Sequence, residues 1–177
     1  MIKQELIEKF YYNHQELIHY INSLADDKFI FRQNGKWTAG QQLSHIYLCL
    51  KFISQAISSK GYIEQKFGKI NRKNMYYDKV IDEYKLALES GGKAPEHFLP
   101  QQVDVNNKIE LTDDLFELLK TIRQQLEGYS DIELDTFVLP HPLLGNLTIR
   151  EMLYLMTYHA THHHKQNERN LESHFSH

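Results

Sequence analysis

Apolar residues recur at three- and four-residue steps over four long stretches of the chain, the spacing of helices that each bury one face. Leu6, Ile7, Phe10, Leu17, Ile21 and Leu24 make the first stripe, over residues 2–24, and His14 falls inside it. Leu43, Ile46, Tyr47, Leu50, Ile53 and Ile57 make the second, beside an adjoining apolar face of His45, Cys49, Phe52 and Ala56. A helix apolar on two faces is packed by more than one neighbour, which turns His45 toward the interior. The third stripe is Leu115, Leu118, Leu119, Ile122 and Leu126. The fourth is Ile149, Met152, Leu153, Met156 and Ala160, in a helix predicted over 147–170. A shorter helix over 78–90 is expected from Val80, Ile81, Tyr84, Leu86 and Leu88.

Local signals punctuate these stripes. Thr38 with Gln41, and Thr148 with Glu151, have the spacing of capping boxes, and Trp37 stands where a hydrophobic staple belongs. Thr112, followed by Asp113 and Asp114, reads as the start of the third long helix. Residues 26–36 are expected as a loop with an Asn34-Gly35 turn, and Gly91-Gly92 and Gly128 as helix stops. Outside the short helix, residues 60–108 read as an irregular crossover marked by Pro95 and Pro100, and LPHPLLGNLT as a tight loop into the last helix. With no strand pattern and no internal repeat, the chain is predicted to be all-α: a four-helix bundle with long crossover connections, one domain over 1–177.

The chemistry lies in the last helix. His159 and His163 continue its buried stripe one turn apart, where Cβ atoms are about 6 Å from each other and two imidazoles can converge on one metal ion. A third ligand must come from elsewhere, and His45 is the best placed. Three neutral imidazoles leave one or two coordination positions for water or a substrate, and they suit zinc or nickel. Ala160 follows the first histidine where zinc peptidases of the HExxH type carry their glutamate base, so peptide hydrolysis is disfavoured. His162 and His164 are rotated by about 100° to either side, and Gln166 is a candidate partner for the ligands. Cys49, four residues after His45, is an alternative ligand, and His14 either lines the metal cavity or bonds a neighbour. Unmetallated core histidines are the remaining alternative.

Composition narrows the function. The net charge of −3 leaves no basic surplus for a nucleic-acid partner. The single cysteine, Cys49, excludes an intrachain disulfide and fits a reducing cytoplasm. The charged start MIKQELIEKF lacks the apolar core of a signal peptide, and no apolar run is long enough for a membrane span. Eleven histidines are many for 177 residues, and His162, His163, His164, His174 and His177 gather near the end.

Three segments carry a resemblance: Trp37-Thr38-Ala39-Gly40-Gln41-Gln42-Leu43-Ser44-His45, the HP-x-x-G turn His141-Pro142-Leu143-Leu144-Gly145, and His159 with His162, His163 and Gln166 in an H-x-x-H-H-x-x-Q pattern. The chain resembles the DinB superfamily, metal-binding four-helix bundles that include YfiT-like proteins, bacillithiol transferases and mycothiol-dependent maleylpyruvate isomerase. The resemblance implies that His45, His159 and His163 match the family's metal triad. It implies a metal-dependent enzyme, above all a transferase that activates a low-molecular-weight thiol and adds it to a small electrophile, with hydrolysis by metal-bound hydroxide as a variant. It also implies a homodimer. The competing expectation is a noncatalytic dimeric bundle with a structural or vestigial metal site, acting as a stress-response interaction module.

Overall fold

A computed structural model describes residues 1–175 of the chain, so His177 lies outside the described residues. Among these residues the helices are α1 (Lys3–Ser23), α2 (Asp26–Phe29), α3 (Ala39–Ile57), α4 (Lys60–Lys66), α5 (Tyr77–Glu89), α6 (Lys108–Glu127), α7 (Asp131–Leu134) and α8 (Ile149–Phe175). A hairpin of β1 (Val138–His141) and β2 (Gly145–Thr148) precedes α8. The four long helices α1, α3, α6 and α8 are those predicted from the apolar stripes. They pack as α1 on α8, α3 on α6 and α1 on α6, and α5 lies against α8. One contiguous core runs through all four, from Leu6 and Phe10 through Leu43 and Leu50 to Leu119, Ile122, Leu153 and Met156. No helix among the described residues is long and apolar enough to cross a membrane.

The caps at Thr38 and Thr148 hold where the sequence placed them. Thr38 Oγ1 accepts from Gln41 N–H at 3.1 Å while Gln41 Oε1 accepts from Thr38 N–H at 3.1 Å. Thr148 and Glu151 make the same reciprocal pair at 3.2 and 2.8 Å, so the two site-bearing helices start at fixed residues. Helix α5 ends in a Schellman motif: Gly91 N–H bonds Leu88 O at 3.0 Å and Gly92 N–H bonds Ala87 O at 2.9 Å. Gly91 takes φ +90°, a left-handed conformation that a side chain would strain.

Several expectations are corrected. The loop over 26–36 holds the single turn α2, whose buried Phe29 lies against Gly40. The crossover over 60–108 is more ordered than its composition implies: Ser59 caps α4, and short 3-10 turns cover Glu96–Phe98 and Val105–Asn107. Helix α6 starts at Lys108, four residues before Thr112, because the Val105–Asn107 turn runs straight into it. Thr112 is therefore interior, and its hydroxyl donates back to Lys108 O at 2.7 Å. Strands are present after all. Segment LPHPLLGNLT folds as an antiparallel hairpin that pairs Leu139 with Leu147 and His141 with Gly145. Two prolines disguised it, since proline is tolerated only where a strand edge needs no N–H. Trp37 is no staple; its ring packs on His45, centroids 4.9 Å apart.

Candidate metal centre

Helices α3 and α8 meet over only a short span, and three imidazoles fill it. His45 projects from the second turn of α3, and His159 and His163 project one turn apart from the middle of α8. All three are 5% exposed. Their Nε2 atoms converge: His45 Nε2 lies 3.3 Å from His159 Nε2, and His163 Nε2 lies 3.1 Å from the same atom.

The outer nitrogens fix the tautomers. His45 Nδ1–H donates to Phe98 O at 2.8 Å, and His163 Nδ1–H donates to Gln42 Oε1 at 2.9 Å. A neutral ring that donates through Nδ1 presents a bare lone pair at Nε2. Two lone pairs therefore face one nitrogen of His159, which can offer a proton to only one of them. A cation between the rings resolves that conflict. Ligand nitrogens about 2.05 Å from a tetrahedral ion lie roughly 3.3 Å apart, close to the two spacings to His159 Nε2, so each of these pairs suits a divalent metal. Among the described residues His159 Nδ1 is buried without a hydrogen-bond partner, so packing and the Nε2 contacts set its ring orientation.

Burial lowers the basicity of all three rings, the effect being largest at His159 and His163, where the neighbouring imidazoles add to it. They are neutral at physiological pH, the form a metal requires. Cys49 stands one turn beyond His45, its Sγ 3.8 Å from His45 Nε2. One ligand atom from each of His45, Cys49 and His159 lies within 4.8 Å of the others, a cluster that could hold a metal ion. Burial pushes the Cys49 thiol up to about 12, so without a metal it is not a thiolate. Trp37 covers the outer side, nearly parallel to the His163 ring at 6.3 Å.

Two cavities open onto His45 and His159. A narrow one of about 80 Å³ runs among Cys49, Phe52, Leu88, Phe98, Leu143 and Met156. A wider one of about 290 Å³ is lined by Lys36, Trp37, His162, His163 and Gln166 and leads outward. Tyr84 borders both.

The other candidates separate. His14 is fully buried in α1, its Nδ1–H bonded to Phe10 O at 2.7 Å, and it lines neither cavity. His162 faces the wide cavity, while His164 packs on Tyr20. Gln166 also borders that wide cavity. Arg150 is engaged by Asp131 and Asp135, away from the rings. Sequence reasoning missed Gln42, Phe98 O and Tyr84. Gln42 stands three residues before His45 on the same helix, which was a signal for the first; a backbone carbonyl gives none.

Comparison with curated proteins finds no match. The family model of the DinB superfamily matches residues 9–166, a span that contains α3 with His45, the hairpin, and His159 and His163 of α8. With that match over most of its length, the chain belongs to the DinB superfamily.

Proposed function

We propose that the protein is a metal-dependent transferase that presents a low-molecular-weight thiol to a small electrophile, at a zinc or nickel ion held by His45, His159 and His163. The observation that supports this most is the pair of Nε2 lone pairs turned on His159 Nε2 at 3.3 and 3.1 Å beside a cavity that reaches the same atoms. A bound divalent ion supplies the positive charge that keeps a thiol sulfur deprotonated at neutral pH. The chain does the rest. Phe98 O and Gln42 Oε1 hold two imidazoles in the ligating tautomer, burial keeps the rings unprotonated, and the apolar walls around Phe52 and Met156 exclude water from the electrophile. Membership of the family and the reducing cytoplasm implied by a lone cysteine agree with a thiol cosubstrate.

The test is a matrix of cofactor thiols against small electrophiles, run with metal-loaded protein, chelator-treated protein and His45→Ala. Transfer that needs both the metal and His45 supports the proposal. Fully loaded protein that transfers no thiol in any combination overturns it.

Cys49 favours a second reading. Its sulfur is close enough to complete a closed four-ligand shell, which would make the metal structural and the bundle a noncatalytic interaction module. Cobalt substitution separates the two: a sulfur-to-cobalt charge-transfer band lost in Cys49→Ser supports the closed site, and its absence supports the open one.

A further inference from the structure

Beyond His45, Cys49 and His159 of the metal centre and Lys93, the narrow cavity is lined by apolar side chains and by Tyr84 and His141, whose rings meet edge-on with centroids 6.0 Å apart. His141 closes the hairpin turn. Its Nδ1 accepts from the N–H groups of both Leu143 and Leu144, each at 3.3 Å. Two donors aimed at Nδ1 fix the proton of the neutral ring on Nε2. Burial lowers its pKa to about 4, so the ring stays neutral at physiological pH. Neither His141 Nε2–H nor the Tyr84 hydroxyl has a partner among the described residues, and neither is among the buried polar atoms left without one, so both reach solvent. Tyr84 also stands edge-on to His159 at 6.1 Å, so this wall adjoins the imidazole cluster. Two donors that only solvent meets, on the wall of a mainly apolar chamber, are available to an acceptor brought by a ligand.

We propose that this chamber binds a small, mainly apolar carbonyl compound whose oxygen accepts from Tyr84 Oη–H and His141 Nε2–H. The inference rests on the transferase reading and names the class of its electrophile. At about 80 Å³ the chamber has room for roughly six water-sized groups, which suits a single ring or a short chain. Phe52, Leu88 and Met156 would receive the hydrocarbon part. A carboxylate is a poor fit, because the chamber would bury its charge against apolar walls with Lys93 as the one cationic side chain lining it.

The test is calorimetric titration with acetophenone and with 2-phenylpropene, which carries a methylene in place of the carbonyl oxygen. Native protein should bind acetophenone about tenfold or more tightly than the hydrocarbon, with or without metal, since each hydrogen bond contributes a few-fold to about tenfold. Tyr84→Phe removes only the hydroxyl. His141→Asn keeps an acceptor for the two turn amides and removes the Nε2–H donor of a ring that lines the chamber. Each variant should weaken acetophenone roughly three- to tenfold and leave 2-phenylpropene within about twofold. Equal affinity for the two ligands, binding of neither, or a preference that vanishes when the metal is stripped overturns the inference. So do variants that shift both ligands alike. Metal content measured on the same samples keeps the two proposals apart: loaded protein without discrimination removes only the carbonyl assignment, and discrimination by protein that takes up no metal removes only the transferase.

Discussion

Arg72 and Glu151 form a two-pronged ion pair, Nη1 to Oε1 at 2.8 Å and Nη2 to Oε2 at 2.7 Å, with the Glu151 carboxylate 1% exposed. The same carboxylate accepts from Met75 N–H at 2.6 Å and Thr148 N–H at 2.8 Å. One side chain thus caps α8 and ties the segment between α4 and α5 to the start of the helix that carries His159 and His163. Glu151→Gln puts an NH₂ group where donors already converge. It should cost about 2–4 kcal/mol in chemical denaturation, with Arg72→Ala costing less because the guanidinium is partly solvated. A change under about 1 kcal/mol for Glu151→Gln would refute the clamp.

Two of the groups that set the pH dependence of stability are Glu151 and His14. Burial alone would raise the Glu151 carboxyl, but hydrogen bonds from Arg72, Met75 and Thr148 outweigh it and hold the group below its usual range. Its contribution is complete above the unfolded value of about 4.3 and is lost as pH falls through the folded one. His14 acts earlier. Burial, opposed by the bond to Phe10 O, lowers its pKa to about 4, so below about 6.5 the unfolded chain takes up a proton that the folded chain refuses. Stability therefore falls between about pH 6.5 and 4, by up to about 3 kcal/mol from this group. Metal-free His14→Leu should gain on the native protein over that window, while the other buried histidines contribute alike to both. Parallel urea-stability profiles would contradict the assignment.

Gln42 Oε1 holds His163 through Nδ1, on the far side of the ring from the proposed metal position. Gln42→Ala should keep the helical circular dichroism spectrum and weaken zinc or nickel binding by about 10–100-fold, as the loss of an orienting partner usually does. Chelator competition reads this directly, and unchanged affinity would show that packing alone orients the ring.

Gly40 is a contact glycine. A Cβ there would lie 2.7 Å from Phe29 Cζ and 3.1 Å from Val103 Cβ, so α2 and the crossover both close onto the first turn of α3. Alanine is the better helix former by about 1 kcal/mol, yet Gly40→Ala should destabilise by about 1–3 kcal/mol through overpacking. A raised melting temperature would sink this explanation.

What the sequence made legible was local. The stripes of the four long helices, the caps at Thr38 and Thr148 and the one-turn step from His159 to His163 depend on residues a few positions apart. The approach of His45 to His159 was inferable because each lies on an apolar face. The hairpin escaped because Pro140 and Pro142 mask its alternation, and the start of α6 was misplaced because Thr112 looks like a cap wherever it stands. Tyr84 and His141 come together only through the packing of α5 on α8 and the fold of the turn, which no spacing encodes.

The bond from His45 Nδ1–H to Phe98 O joins the ligand cluster to the crossover between α5 and α6. A cation drawing electron density from Nε2 makes the opposite N–H a stronger donor, so loading the centre and seating the crossover are coupled in both directions. Protease nicking within residues 93–104 should accordingly slow as metal is added, and a His45 substitution should abolish that protection, which makes cleavage of the neighbouring crossover a gauge of what the imidazoles hold.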